Sequence, residues 1–379
     1  MLTLLVIAAA VTTALWVIRS PEPAPAQPDI ALAFLQSDDS TGFAAVDPSR
    51  SLRFPADHSA HPKTRTETWY FTGLVESEHG RRFGFQLMFF RLALTPEPPQ
   101  SSSAWATNQI YRAFFAITDI AQKRFHTTER FSRAALGLSG SQSTPVRVWL
   151  ENWSAQLTTD DGERPGFRLR AADSAIGLDL ELAAEKSLAI PVSDSAAPGG
   201  VRAQFRFYMA TRMHAQGVIN VAEETFSVRG SAWLDRAWGQ VPVSQGQIAL
   251  DRFALQLDDG RELLIFQLHR RDGSGVPSHN GLLINRDGSL YRLGRRDLEL
   301  ETTDDWISPL DGTRYPGGWR VTLPAEQIEL TLTPYLADQE VNTALRYWGG
   351  AVAISGSRGG NGYVELTGYT VDDKGKGKT

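Results

Sequence analysis

Short runs in which apolar and polar residues alternate, separated by Asp-Gly turns, are the feature of this sequence that most restricts its fold. One run places Ile176, Leu178, Leu180 and Leu182 on one face, and another does the same with Ile328, Leu330 and Leu332. A half-buried strand has this period of two. Asp-Gly pairs begin at residues 161, 259, 272, 287 and 311, and this dipeptide favours tight hairpin turns. Helical periodicity is nearly absent after the N-terminal segment, so we predict an all-β protein with closed or nearly closed antiparallel sheets.

The two ends of the chain differ from this body. Residues 2–18 form an apolar run broken only by threonines, and Arg19 and a Pro-rich stretch follow. This pattern is typical of a signal peptide or a membrane anchor, and it predicts a hydrophobic helix within residues 1–20. We expect a linker at 21–50, an N-terminal domain at 51–220, a C-terminal domain at 221–371 and a disordered tail at 372–379. The body is then periplasmic or otherwise extracytoplasmic, either released or anchored to the inner membrane by residues 2–18.

Composition excludes several classes of function. The net charge is −5, which offers no large basic surface, so we expect no nucleic-acid partner. The chain has no cysteine, which excludes disulfides, thiolate nucleophiles and cysteine-ligated metals. Nucleotide-binding and hydrolase motifs are missing, and the seven histidines never fall at a convincing metal-ligand spacing. We therefore predict neither a cofactor nor a metal.

An acid beside tryptophans is the first candidate for chemistry. Trp233 and Asp235 are two residues apart, so on a strand they share a face, and Trp238 follows. If that face is a barrel interior, the indole rings raise the pKa of Asp235 and suit it to donate a proton. The alternative is that Trp233 is core and Asp235 pairs with Arg236 or Arg252.

Two further carboxylates interrupt apolar strands. Asp251 lies in the run from Ala249 to Leu255, and Glu67 shares a strand face with Trp69 while Tyr70 points the other way. For both acids the alternative is a buried salt bridge, for example to Arg91 or Arg212. The candidate catalytic residues are thus Asp235, Asp251 and Glu67, and the candidate ligand-binding residues are Trp69, Tyr70, Arg91, Trp233, Trp238, Arg212 and Tyr208.

Several long motifs resemble the AttH-like family, which includes the carotenoid 1,2-hydratases. They are His61–Gly73, Arg82–Arg91, Tyr111–Asp119, Gly230–Gly239 and Gly362–Tyr369, within a similarity that covers roughly Phe54 to Thr370. The resemblance implies two tandem lipocalin-like antiparallel β-barrels and a long hydrophobic ligand, an isoprenoid or a lipid. It also implies a hydro-lyase activity of the carotenoid 1,2-hydratase type, in which an acid protonates a C=C bond before water adds.

The sequence departs from the family pattern at functional-looking positions. Thr68 and Arg252 replace tryptophans, Arg236 replaces a histidine, and Ala237 and Gly349 replace glutamates. These changes leave a second function open: a non-catalytic, lipid-binding accessory subunit of an ABC-type export system, with a transporter permease as partner. A third is an envelope protein whose barrels only scaffold an interface. In the enzyme hypothesis Asp235 is the general acid and Trp233, Trp238 and Trp69 line the pocket.

Overall fold

The computed structural model of the protein describes residues 41–47, 50–191, 204–240, 248–270 and 277–370. The hydrophobic segment at 2–18, most of the linker and the tail at 372–379 lie outside the described residues. An N-terminal helix, a signal peptide or anchor, and a disordered tail therefore stay predictions. No helix within the described ranges has the length and hydrophobicity that a membrane span requires.

The first sheet has eleven antiparallel strands, in the order β4-β3-β2-β1-β11-β10-β9-β8-β7-β6-β5. A short 3-10 turn at Ala56–His58 precedes it. The strands are β1 (Thr66–Ser77), β2 (Arg82–Ala93), β3 (Gln109–Asp119), β4 (Arg124–Arg133), β5 (Ser139–Ser143), β6 (Val146–Leu150), β7 (Trp153–Thr159), β8 (Gly166–Ala172), β9 (Ile176–Ala184), β10 (Gln204–Val221) and β11 (Glu224–Gln240).

The second sheet has ten strands. Nine follow the order β15-β14-β13-β12-β21-β20-β18-β17-β16, and β19 pairs with β20 beside this path. A 3-10 turn at Pro324–Glu326 precedes β18. The strands are β12 (Ile248–Leu257), β13 (Glu262–Arg270), β14 (Ser278–Ile284), β15 (Leu290–Leu293), β16 (Glu299–Ile307), β17 (Arg314–Leu323), β18 (Ile328–Pro334), β19 (Glu340–Asn342), β20 (Arg346–Gly356) and β21 (Gly360–Leu366). The predicted all-β class is confirmed.

Four of the five Asp-Gly pairs lie between neighbouring strands, as predicted. They fall between β7 and β8, β12 and β13, β14 and β15, and β16 and β17. Their glycines have φ angles of 84° to 88°. Glycine adopts this left-handed backbone without steric cost, which explains why the dipeptide marks the turns. The pair at residue 272 lies outside the described residues.

Each sheet curls around its own apolar core, because alternate residues of its strands point inward. In the first sheet the ring of Phe115 on β3 lies 5.8 Å from that of Trp153 on β7, although these strands are far apart in the hydrogen-bonded order. In the second, Trp319 contacts both Phe253 and Trp348. These contacts across the sheet interiors give two barrel-like sheets, as the family resemblance implied.

The outer faces of the two sheets pack against each other through two apolar clusters. One joins Met209 and Trp233 of the first sheet to Leu264 of the second. The other joins Phe114 of β3 to Tyr347 of β20. Strands β1 and β2 lie between these clusters in the first sheet and contact β21 and β20 of the second. Polar residues on the facing surfaces of these strands are therefore enclosed between the sheets.

The chain passes from one sheet to the other between β11 and β12. The predicted domain boundary at 220/221 falls earlier, beside the turn between β10 and β11. Because β11 hydrogen-bonds to both β1 and β10, the first sheet continues past that boundary to Gln240. The division into two domains itself stays a prediction.

Candidate functional site

The predicted site residues lie at four places in the fold rather than in one pocket. The inner face of the first sheet holds one group, the inner face of the second sheet another, and the contact between the sheets holds the rest at two separate points. The inner face of the first sheet carries Glu67, Trp69, Arg91, Tyr208 and Trp238, and that of the second carries Asp251. Between the sheets, Arg212 lies at one point, and Tyr70, Trp233 and Asp235 lie at the other.

Glu67 is the centre of a buried ion-pair network inside the first sheet. Its Oε2 accepts a hydrogen bond from Nε of Arg91 at 2.9 Å, and its Oε1 accepts one from Nη2 of Arg236 at 2.5 Å. Nδ1 of His61 lies 2.7 Å from Oε1. Burial by itself raises the pKa of Glu67, but Arg236, His61 and Arg91 together lower it to about 2. Glu67 is thus a carboxylate with both oxygens occupied, which suits the salt-bridge alternative and not the predicted role as a proton donor.

Arg236 lies against two of the three tryptophans that were predicted to bind ligand, Trp69 and Trp238. Its guanidinium carbon is 3.9 Å from the ring centroid of Trp69 and 5.3 Å from that of Trp238. The imidazole of His61 stacks on the indole of Trp238. The two ring centroids are 4.0 Å apart, and the angle between the ring planes is 4°. These cation–π and stacking contacts stabilise the buried charge. Trp69 and Trp238 therefore pack against the ion-pair network.

Tyr208 belongs to the same interior but bonds to a different histidine. Its hydroxyl lies 2.5 Å from Nδ1 of His58, and Oδ2 of Asp160 lies 3.5 Å from the other ring nitrogen. Burial and then the charge of Arg236 lower the pKa of His58 to about 3, against an opposite effect of Asp57. The imidazole is therefore neutral at physiological pH, and Tyr208 packs in the core beside it.

Arg212 fastens the two sheets together. Its Nε donates to Oε1 of Glu262 at 2.6 Å, and its Nη2 donates to the carbonyl of Leu257 at 2.9 Å. Lys186 donates to Oε2 of the same fully buried carboxylate at 2.8 Å. Arg212 on β10 thus forms an ion pair with Glu262 on β13. These contacts stabilise the packing of the two sheets, whereas the sequence predicted that Arg212 binds ligand.

Asp251 forms an acid–base pair inside the second sheet. Its Oδ2 accepts a hydrogen bond from the hydroxyl of Tyr369 at 2.9 Å, and Nε2 of His269 lies 3.3 Å from Oδ1. Burial raises the pKa of Asp251, although His269 and Tyr369 lower it in part. Because Asp251 and Arg252 are adjacent on β12, they point to opposite faces, so this pair is separate from the residues between the sheets.

Two pairs of residues face each other across the contact between the sheets. On the first sheet Tyr70 of β1 is directly opposite Asp235 of β11, and on the second Arg252 of β12 is directly opposite Glu365 of β21. Nη2 of Arg252 donates to Oδ2 of Asp235, and its Nη1 lies 3.8 Å from Oε2 of Glu365. These four residues form what we call the intersheet cluster.

Within this cluster Asp235 is the hydrogen-bond acceptor. Trp233 shares its face, as the two-residue spacing predicted, and Nε1 of that indole donates to Oδ1 at 2.9 Å. Arg252 occupies the other oxygen. The face is the outer surface of the first sheet and not a barrel interior. Although burial raises the pKa of Asp235 against the effect of Arg252, both oxygens already accept hydrogen bonds, which suits a carboxylate better than an acid.

The Tyr70 hydroxyl lies beside Glu365 and is bonded to Gln86. The Tyr70 hydroxyl donates its one proton to Oε1 of Gln86 at 2.8 Å, and that amide is oriented because its Nε2 donates to the carbonyl of Gly349 at 2.9 Å. The same hydroxyl is close enough to Glu365 to lower its pKa. Since Tyr70 donates its one proton to Gln86, that proton does not pair with Glu365, whose Oε1 is buried without a hydrogen-bond partner.

The net electrostatic effect of the surroundings favours the protonated form of Glu365. Burial raises the pKa of Glu365, Arg252 and Tyr70 lower it, and the neighbouring Asp235 raises it again. Among the described residues, Oε1 of Glu365, Nη1 of Arg252 and the hydroxyl of Tyr347 are buried without a hydrogen-bond partner. Unpaired buried polar atoms are costly, so their concentration here indicates a place that a polar group of a ligand or a water fills.

Sequence reasoning offered Arg252 as an alternative partner of Asp235, and the structure shows this pair. It missed Glu365, Tyr347 and Gln86. Glu365 lies in the C-terminal family motif, but nothing in the sequence shows that β21 faces β1. Gln86 and Tyr347 carry no motif for chemistry. In the described part of the chain, no three or more histidine, aspartate or glutamate side chains are arranged to hold a metal ion.

A cavity of about 550 Å³ opens along the contact between the two sheets. Lys123, Phe125 and Thr127 of the first sheet line one side, and the segment from Tyr335 to Asn342 contributes to the other. Phe125 packs on the apolar cluster that contains Tyr347, and the charge of Glu365 raises the pKa of Tyr347. The cavity therefore adjoins the apolar cluster whose Tyr347 lies near Glu365.

Comparison with known proteins agrees with this architecture. The model of the AttH-like family matches residues 45–369. A protein from Nitrosomonas europaea that is assigned as AttH has a crystal structure similar to this chain, with 29% identity, a TM-score of 0.74 and coverage of 86% of this chain and 100% of that one. No curated protein has significant sequence similarity to the chain.

Two more distant structures share the fold. Kievitone hydratase from Nectria haematococca is 14% identical, with a TM-score of 0.60 and coverage of 88% of this chain and 99% of that one. CghA, solved with Sch210972, is 15% identical, with a TM-score of 0.52 and coverage of 88% and 97%. At these identities the similarity concerns the fold alone.

Proposed function

The chain belongs to the AttH-like family, and we propose that it adds water to a C=C bond of a long apolar substrate by acid catalysis at the intersheet cluster. Two features of Glu365 carry this proposal, because both favour a carboxyl that keeps its proton: its Oε1 is buried without a hydrogen-bond partner, and burial together with Asp235 raises its pKa. A hydratase with the same fold supports the proposal by analogy only, because one fold can host many chemistries.

In the proposed reaction Glu365 is the general acid. It transfers its proton to one carbon of the double bond, and the more substituted carbon becomes a carbocation. The aromatic faces of Tyr70 and Tyr347 and the carboxylate of Asp235 stabilise this positive charge. Water then attacks the cation, and the proton that it loses returns to Glu365. The products are an alcohol, which is tertiary when the double bond is trisubstituted, and the restored acid.

The remaining cluster residues hold the acid in place. Arg252 binds Asp235 and so keeps one of the two carboxyls ionised, which favours the neutral form of the other. Gln86 fixes the direction in which Tyr70 donates. We assign the long apolar part of the substrate, an isoprenoid or other lipid, to the cavity lined by Phe125, Leu310 and Leu336.

A second candidate is the non-catalytic lipid-binding subunit. The observation that favours it is that Arg236 and Arg252, which replace residues usual in the family, both form ion pairs that stabilise the fold. Under this proposal the chain is exported, is held at the inner membrane by residues 2–18, and presents a lipid to an ABC transporter permease.

Turnover in isotopically labelled water distinguishes the two functions. The full-length protein is incubated with lycopene, squalene and oleate in ¹⁸O-labelled water, and the extract is analysed by mass spectrometry. Hydration predicts a product that has gained one labelled water molecule. Recovery of an unchanged lipid that co-purifies with the protein, with no labelled product from any probe, would favour the carrier.

A further inference from the structure

A second cavity, of about 410 Å³, lies at one end of the first sheet and is separate from the proposed catalytic cluster. Its apolar wall is made by Ala45, Val46, Ala60 and Pro62. One side is aromatic, because Trp238 and the imidazole of His61 stacked on it both line the space. The volume is within the range of cavities that hold small organic molecules.

The charged side chains that line this cavity are mostly positive. Arg50, Lys63 and Arg206 contribute three cations, and Asp47 contributes one carboxylate. Arg50 also donates to Asp57, with Nη2 2.6 Å from Oδ1. The lining therefore has an excess of positive charge before the residues behind it are counted.

The layer behind the lining does not cancel this excess. His61 bridges two carboxylates, with Nε2 2.9 Å from Oδ1 of Asp57 and Nδ1 2.7 Å from Oε1 of Glu67. The guanidinium groups of Arg91 and Arg236 balance these two negative charges, and both bind Glu67. The second layer is thus close to neutral, so the electrostatic field in the cavity comes from the charged residues that line it.

The burial of one cation strengthens this field. Arg206 is only 9% exposed. Its pKa is lowered, first by burial and then by the nearby charge of Arg50, with Asp57 and Asp47 acting in the opposite direction. A guanidinium in a low-dielectric wall beside a second one attracts an anion more strongly than it would in water.

We propose that this cavity binds an amphiphilic organic anion, with its carboxylate or phosphate between Arg206 and Lys63 and its apolar chain against Val46 and Trp238. The arginine fork and the lysine ammonium suit either acidic group. A lone inorganic anion would leave the apolar wall uncovered. The site is independent of Glu365, so it can exist whether or not the protein is a hydratase.

Isothermal titration calorimetry of the full-length protein tests this site with four probes: dodecanoate, dodecyl phosphate, dodecanol and acetate. The long-chain anions are used below their critical micelle concentrations. We expect the two long anions to bind, with an affinity that falls as salt increases, and the neutral alcohol and acetate to bind at least tenfold more weakly. The ratio between dodecanoate and dodecyl phosphate identifies the preferred acidic group.

Variants locate the binding. Lys63→Gln, at an exposed position, should weaken binding of the long anions by about tenfold, the effect of one charge-assisted hydrogen bond, and Arg206→Gln should weaken it at least as much. Arg320→Gln, at an exposed position that lines neither cavity, is the matched control and should bind as the unchanged protein does. Equal binding of dodecanol and dodecanoate, or full affinity in Lys63→Gln, would overturn the proposal even if Arg206→Gln failed to fold. Labelled-water turnover is measured separately, so its absence would not count against this site.

Discussion

Asp235 of the first sheet and Arg252 of the second form an ion pair across the contact between the two sheets. Glu365 lies on the other side of the same guanidinium, with Oε2 3.8 Å from Nη1. Two carboxyls thus share one cation. Both oxygens of Asp235 accept hydrogen bonds, whereas Oε1 of Glu365 has no partner and burial raises the pKa of Glu365, so we assign the proton to Glu365. A buried, protonated carboxyl beside aromatic rings is what an acid-catalysed hydration requires.

Replacing Arg252 should change the pH dependence of turnover. Arg252 lowers the pKa of both Asp235 and Glu365, so Arg252→Gln should raise both. Activity that depends on protonated Glu365 is lost as pH rises through its pKa, and a raised pKa moves this loss to higher pH. The pH–rate profile of the variant measures the shift. Arg320→Gln, at an exposed position, is the control and should leave the profile in place.

Glu67→Gln should destabilise the protein strongly. The substitution leaves Arg91 and Arg236 buried without their carboxylate, which costs about 3–5 kcal/mol in the free energy of unfolding. Glu301→Gln is the matched control, because Glu301 pairs with Arg320 at the exposed surface, and its cost should be below about 1 kcal/mol. Urea denaturation measures both values. Similar stabilities for the two variants would contradict the role of Glu67 as the centre of the network.

The same carboxylate predicts a loss of stability in acid. The pKa of Glu67 is about 2 in the folded protein against 4.5 for the unperturbed group, so between these values the unfolded chain binds the extra proton. The contribution of Glu67 is present in full above pH 4.5 and is lost as pH falls toward 2, by about 3 kcal/mol. Denaturation midpoints at a series of pH values should fall more steeply for the unchanged protein than for Glu67→Gln. Parallel curves would show that Glu67 is not held as a carboxylate.

Arg212→Gln should affect stability and not ligand binding. Arg212 links β10 to Glu262 on β13, while Lys186 remains bound to that carboxylate. Loss of one charged hydrogen bond to a buried acid costs about 1–3 kcal/mol. Urea denaturation tests this value, and titration with the same lipid probes tests binding. A variant of unchanged stability that no longer bound lipid would restore Arg212 to the list of ligand-binding residues.

Local patterns in the sequence were sufficient for the strands and for much of the turn chemistry. The alternation in Ile176–Leu182 became β9, and the Asp-Gly pair at 259 became the turn between β12 and β13. The same period of two correctly put Trp233 and Asp235 on one face. These features depend only on residues close together in the chain.

Contacts between distant strands could not be read in the same way. Whether the face of Asp235 points into a barrel or toward the other sheet depends on how the sheets pack, so the proton-donor role was predicted only on the condition that this face is a barrel interior. Glu365 is separated from Tyr70 by most of the chain, and no spacing rule connects them. The salt-bridge alternative for Glu67 was foreseen with Arg91, but its second partner, Arg236, comes from β11.

The most direct test of the account is the incorporation of ¹⁸O from labelled water into an apolar alkene by the unchanged protein and by Glu365→Gln. Glu329→Gln, an exposed substitution on β18, is the matched control. The account predicts labelled alcohol from the unchanged protein and from the control, and a loss of at least about 100-fold in Glu365→Gln, because a general acid contributes that much or more. Equal labelling by Glu365→Gln and the unchanged protein would contradict the assignment of the acid.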